Sequence, residues 1–110
     1  MKTRTFLLAL FALASALTAQ AFTGTVEING IYYTNPSGTN LTVASNSNLY
    51  SGTVTIPDIV DYNETVYNVT AIANQAFQNC IHLKAVHIGS NVKTIGYRAF
   101  YGCEELEEIV

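Results

Sequence analysis

Residues 68 to 87 can be laid on residues 91 to 110 at an offset of 23, and this internal repeat constrains the chain more than any other feature. Asn68, Val69, Ile72, Ala76, Phe77, Cys80 and Leu83 fall on Asn91, Val92, Ile95, Ala99, Phe100, Cys103 and Leu106, and Val86 falls on Ile109. The matched residues are nearly all apolar or small, so they would line one interior. A unit this short cannot bury its own apolar face. Copies must stack, which predicts a solenoid in which each coil contributes one strand to a ladder.

The strand pattern recurs upstream. Thr53-Val54-Thr55-Ile56-Pro57-Asp58-Ile59-Val60 matches Ala85-Val86-His87-Ile88-Gly89-Ser90-Asn91-Val92 at an offset of 32, nine more than the period. The surplus falls around Asp61 to Tyr67, where Asn63-Glu64 between alternating apolar residues predicts an inserted hairpin. Three ladder strands are therefore expected, near residues 53 to 56, 85 to 88 and 107 to 110. Ala76-Phe77 and Ala99-Phe100 fall in short segments of helical or turn character. Ahead of the repeats, Thr25 to Ile28, Asn29-Gly30 and Ile31 to Tyr33 read as strand, type I′ turn and strand. Asn35 to Asn40 reads as a loop, Leu41 to Ala44 as a second short strand and Ser45 to Asn48 as another loop. A solenoid needs its open end covered, and this hairpin module is the natural cap.

The N-terminus carries a different message. Lys2 and Arg4 precede an apolar or small run from Phe6 to Leu17, followed by the small-x-small pattern Ala19-Gln20-Ala21. This predicts a cleaved secretory signal over residues 1–21, because the apolar run is shorter than the about 20 helical residues that a membrane span requires. No cysteine follows the run to accept a lipid. Beyond it, three basic residues (Lys84, Lys93, Arg98) stand against eight acidic ones, a net charge of −5. Nucleic acid and anionic membrane surfaces are poor partners for such a chain.

Val69-Thr70-Ala71-Ile72 through Ala76-Phe77-Gln78-Asn79-Cys80, and Val92-Lys93-Thr94-Ile95-Gly96 through Ala99-Phe100-Tyr101-Gly102-Cys103, resemble the BspA-like leucine-rich repeats of bacterial surface proteins. Gly30 to Tyr33, Tyr50 to Pro57 and Tyr67 to Thr70 are similar to the segment that precedes those repeats in Bacteroides-type members. The resemblance implies a β-rich leucine-rich-repeat solenoid with short helical turns, preceded by a β-hairpin N-terminal cap. The expected organisation is a signal over 1–21, a cap over 22–52 and about two repeats over 53–110. It also implies a secreted or cell-surface protein that binds a protein ligand, with adhesion to host matrix or other cell-surface proteins as the activity proposed for some members. No catalytic residue and no cofactor is implied. Family proteins stack many repeats, whereas this chain ends within a strand at Ile109-Val110, so a partial chain is the expectation.

The outward ladder positions Thr53, Thr55, Ala85, His87, Glu108 and Val110 form the candidate binding face, on the concave side of the expected solenoid. Lys84 is expected beside Glu107 across neighbouring strands. Cys80 and Cys103 share a repeat position and would stack about 5 Å apart, either as a disulfide or as a buried ladder of small side chains. His82 and His87 lack the convergent third ligand that a zinc site needs. No phosphate loop, nucleophile elbow or catalytic triad can be assembled. Seven tyrosines with no tryptophan offer amphipathic contact area, at least half of it expected in the core, and together with polar Thr and Asn loops they leave a glycan-binding accessory module as the alternative function.

Overall fold

The computed structural model describes residues 21 to 110, so all but the last residue of the expected leader lies outside the described residues. Among the described residues nine strands form two sheets. The larger runs β1 (Val26–Ile28), β2 (Ile31–Ser37), β3 (Asn40–Val43), β6 (Thr65–Ile72) and β5 (Ile59–Tyr62) in that spatial order, with β8 (Thr94–Ile95) also on β6. The smaller runs β4 (Gly52–Thr55), β7 (Leu83–His87) and β9 (Glu108–Ile109), all parallel.

The repeat offsets reappear as hydrogen-bond register. Thr53, Val54 and Thr55 lie opposite Ala85, Val86 and His87, an offset of 32, and Ala85 and Val86 lie opposite Glu108 and Ile109, an offset of 23. In the larger sheet Ala71 and Ile72 face Thr94 and Ile95, again 23 apart. Parallel stacking of equivalent residues is what a repeat must do if each copy buries its apolar side against the next.

Between the ladders the chain turns without helix. Gln75, Phe77 and Asn79 donate their N–H groups to the carbonyls of Tyr97, Ala99 and Tyr101 at 2.9, 2.8 and 2.7 Å, so the turn segments stack coil on coil. Gln75 and Arg98 share a positive φ, as do Asn79 and Gly102, each pair 23 residues apart. Those left-handed residues interrupt any run of helical dihedrals, which is why successive hydrogen-bonded turns stand where helical turns were anticipated.

The hairpins follow their turn chemistry. Asn29 and Gly30 both have positive φ and join β1 to β2 with Val26 opposite Tyr33, while Asn63 and Glu64 do the same between β5 and β6. The segment 35–40 differs from the loop expected there. Strand β2 continues through Ser37, opposite Asn40, leaving Gly38 and Thr39 as the turn. A register shift between Thr34 and Ser37 accommodates Pro36, which has no N–H to give, and Asn35 Nδ2 bonds the carbonyls of Gly38 and Asn40 at 3.1 and 2.8 Å.

The core lies between the sheets and under the turns. Tyr33, Leu41, Ile56, Tyr67, Val69, Phe77, Leu83 and Val86 are fully buried, with Phe100, Cys103 and Leu106 of the last unit packed against them in part. Tyr50 ties the segment before β4 into this core: its hydroxyl donates to the Ala44 carbonyl at 2.6 Å and accepts the Tyr32 N–H at 3.1 Å. Burial pushes its pKa up to about 12, so it stays a donor throughout the physiological range. Tyr50→Phe strips the partner from both backbone groups and is expected to cost about 1–3 kcal/mol in urea unfolding. An unchanged midpoint would mean that water replaces the hydroxyl there.

Candidate functional site

Alternation along β4, β7 and β9 sends Val54 and Val86 into the core and Thr53, Thr55 and His87 to the other face. Thr53, Thr55, Glu108 and Val110 are exposed and His87 is half-buried. The Ile88 N–H donates to the Val110 carbonyl at 2.7 Å and fixes the end of that row. Ala85 corrects the expectation: it stands between Thr53 and Glu108 but is only 9% exposed, since its methyl group is too short to rise past its neighbours. The face therefore presents two threonine hydroxyls, an imidazole and carboxylates around a small floor.

Polar side chains pair along this face. His87 Nε2 lies 3.4 Å from Glu108 Oε1, and His82 Nδ1 lies 3.4 Å from Glu105 Oε2. Lys84 Nζ reaches Glu105 Oε1 at 2.8 Å, not the side chain of Glu107 that the sequence put beside it; the Glu107 N–H instead donates to the Lys84 carbonyl at 2.9 Å. A register shift between Gly52 and Thr53 displaces Lys84 from simple alternation and directs it to the turn before β9. The hydrogen bond from Lys84, and then its charge, holds the Glu105 carboxyl below the usual carboxylate range, while Glu105 raises Lys84. Both groups are open to solvent, so the pair orients side chains more than it stabilises the fold. Among the described residues no three His, Cys, Asp or Glu side chains gather in a way that could hold a metal ion.

Cys80 and Cys103 are free thiols. Cys103 Sγ donates to the Phe77 carbonyl at 3.0 Å and Cys80 is buried, an arrangement of small side chains laddered between coils. Burial raises both thiol pKa values, which disfavours the thiolate. Of the tyrosines, Tyr33, Tyr50 and Tyr67 belong to the core, whereas Tyr97 and Tyr101 are 66% and 55% exposed. The Arg98 guanidinium sits 5.2 and 4.7 Å from the centres of those two exposed rings.

Two hollows beside β4 went unseen in the sequence. One of about 380 Å³ is lined by residues including Ile31, Tyr33, Thr55, Ile59 and Asp61. The other, of about 480 Å³, is lined by Gly30, Ile31, Asn46, Leu49, Thr53 and Thr55 among others. They arise because the N-terminal hairpin joins the larger sheet through β3, which pairs parallel to β6 with Asn40 opposite Asn68 and Leu41 opposite Val69. A signal for that pairing exists: Asn40-Leu41 is a third copy of the Asn-apolar step seen in Asn68-Val69 and Asn91-Val92.

Two parallel ladders whose last steps are in register with a 23-residue repeat describe the architecture, and known proteins share it. Residues 47–110 match the family described as the BspA type leucine rich repeat region (6 copies). The chain belongs to that family. Three solved structures are similar. A leucine-rich repeat protein from Bacteroides ovatus is 31% identical over 76% of this chain and 22% of its own, with a TM-score of 0.66. Another from Bacteroides capillosus is 25% identical over 77% of this chain and 63% of its own, TM-score 0.67. The leucine rich repeat protein of T. pallidum is 26% identical over 78% of this chain and 38% of its own, TM-score 0.62. The chain thus spans less than two thirds of the length of each. No curated protein matches it significantly. BspA-type repeats belong to a class of domains that generally bind proteins, and among the described residues no helix is long and apolar enough to cross a membrane.

Proposed function

We propose that this leucine-rich repeat chain is an exported, non-catalytic interaction module that holds a protein ligand against the outward face of β4, β7 and β9. The observation that carries the reading is the set of exposed Thr53, Thr55 and Glu108 around the half-buried His87, on strands locked in register by the parallel ladder. Such a surface presents side chains at fixed spacing with little ordering entropy left to lose on binding. The leader-like residues 1–21 support export to the cell surface or beyond, and the pairing of β1 and β2 onto β3 supports residues 22–52 as the cap of the repeats in 53–110. A ligand among host matrix or cell-surface proteins fits the adhesive role proposed for this family.

The test is capture on a panel of immobilised matrix proteins. The double variant Thr55→Glu, His87→Glu is expected to lower capture about tenfold or more, as charge placed at the centre of a contact does. Retained capture would move the site off the ladder. A glycan-binding reading rests on one feature, the exposed Tyr97 and Tyr101 flanking Arg98. Binding on a glycan array that is lost in Tyr97→Ala, Tyr101→Ala and kept in the ladder variant would favour it.

A further inference from the structure

The smaller sheet begins one strand later than the larger. The parallel ladder β3, β6, β8 has three members and so has β4, β7, β9, but the chain ahead of β3 folds into the β1–β2 hairpin and pairs with β3. No strand among the described residues lies beside β4, which is the edge of its sheet.

The backbone of β4 shows which groups are left over. The Gly52 N–H donates to the His82 carbonyl at 2.9 Å and the Ile56 N–H to the His87 carbonyl at 2.7 Å, so Gly52, Val54 and Ile56 turn their polar groups toward β7. Alternation then points the N–H and C=O of Thr53 and Thr55 away from β7, into the space that the two hollows occupy. The hollows lie on either side of the Asn29–Ile31 corner and share Thr55, Asn29 and Ile31. Their rim exposes Leu49 and Ile59, 46% and 51% accessible, and their floor is the buried Ile31 and Tyr33.

Resting on the interaction reading above, we propose that the free edge of β4 takes up an extended peptide as an added strand, its alternate side chains entering the two hollows. Charge chooses among occupants. Among the described residues Asp61 is the one ionisable carboxylate lining either hollow, the Glu27 carboxylate accepts the Gly30 N–H at the corner between them, and Lys84, Lys93 and Arg98 line neither. The occupant is therefore a segment of another protein that alternates apolar residues with Lys or Arg. A second copy of this chain fits worse, since its own exposed C-terminal stretch carries Glu104, Glu105, Glu107 and Glu108.

The test titrates a short peptide of alternating lysine and valine into isotope-labelled protein, expressed from its full-length sequence, and follows backbone amide resonances. Shifts at Asn29, Gly30, Thr53, Thr55 and Asp61 are expected. A glutamate–valine peptide, and a lysine–valine peptide N-methylated on the edge-pairing amides, are each expected to bind about tenfold more weakly. Thr55→Pro removes an N–H that makes no bond to β7, and Asp61→Lys reverses the rim charge; each is expected to weaken binding, the first by about tenfold. Binding that both variants and the methylated peptide leave intact overturns the proposal, as does an absence of shifts. Shifts confined to His87 and Glu108 overturn it while supporting the ladder-face reading, and shifts confined to Ile109 and Val110 overturn it in favour of the other edge. Edge amides that shift with protein concentration alone would assign the groove to a second copy. Capture of matrix proteins that survives Asp61→Lys but not the ladder variant would leave the wider reading standing without this one.

Discussion

Phe77→Ala is expected to remove most of the stability of the protein. Phe77 is fully buried, its ring lies 4.7 Å from that of Tyr50, and it stacks on Phe100 at 5.1 Å with the planes 9° apart. It is the aromatic step by which the segment before β4, one coil and the next touch. Truncation of a buried phenylalanine costs about 3–5 kcal/mol, transfer and cavity together. A domain of this size has about 5–13 kcal/mol in all. In urea unfolding followed by far-UV circular dichroism, the midpoint is expected to fall by about 2 M or more. Phe100→Ala, at a half-buried position, is expected to cost less. Equal losses in the two variants would show that the aromatic stack and not the burial of Phe77 carries the effect, and a shift below about 0.5 M would remove Phe77 from the core.

The second large effect is expected from a single methyl group. A Cβ at Gly96 would stand 2.4 Å from the Asn74 nitrogen and 2.6 Å from both the Ala73 carbonyl carbon and Asn74 Oδ1. Two of those atoms are backbone and cannot swing aside. The Gly96 N–H also donates to the Ile72 carbonyl at 2.8 Å, and the next N–H, of Tyr97, donates to Asn74 Oδ1 at 2.8 Å. Gly96→Ala must therefore push the coils apart where they are hydrogen-bonded to each other, at a cost of about 1–3 kcal/mol or more. A fall in Tm of about 10 °C is expected. The matching position one repeat earlier is Ala73, so the requirement for glycine comes from the approach of the preceding coil and not from the repeat as such. An unchanged Tm would show that Asn74 and its neighbours yield easily.

The candidate site was legible in part. The positions of Thr53, Thr55, His87 and Glu108 on one face follow from alternation once the offsets of 32 and 23 are seen. The burial of Ala85 was not, because a repeat aligns backbones and says little about how tall the neighbouring side chains stand. Lys84 does lie beside Glu107, whose N–H bonds its carbonyl, but its ammonium pairs with Glu105, a contact missed because nothing in the repeat marks the register shift after Gly52.

What the sequence by itself determined is the part of the molecule that copies itself. Equivalent apolar residues must stack to be buried, so the period fixed the ladder strands, their parallel direction and their register, and the Asn29-Gly30 and Asn63-Glu64 steps fixed two hairpins by their tolerance of positive φ. Only the tertiary structure decided where the non-repeating N-terminal segment attaches. The β1–β2 hairpin can cover either sheet as far as local pairing is concerned; the choice of β3 as its neighbour, and of β6 as the neighbour of β3, depends on burying Tyr33, Leu41 and Val43 together with Tyr67 and Val69. That collective burial leaves β4 without a neighbouring strand among the described residues on its outer side, because a hairpin has a limited number of hydrogen-bonding edges and both sheets compete for them.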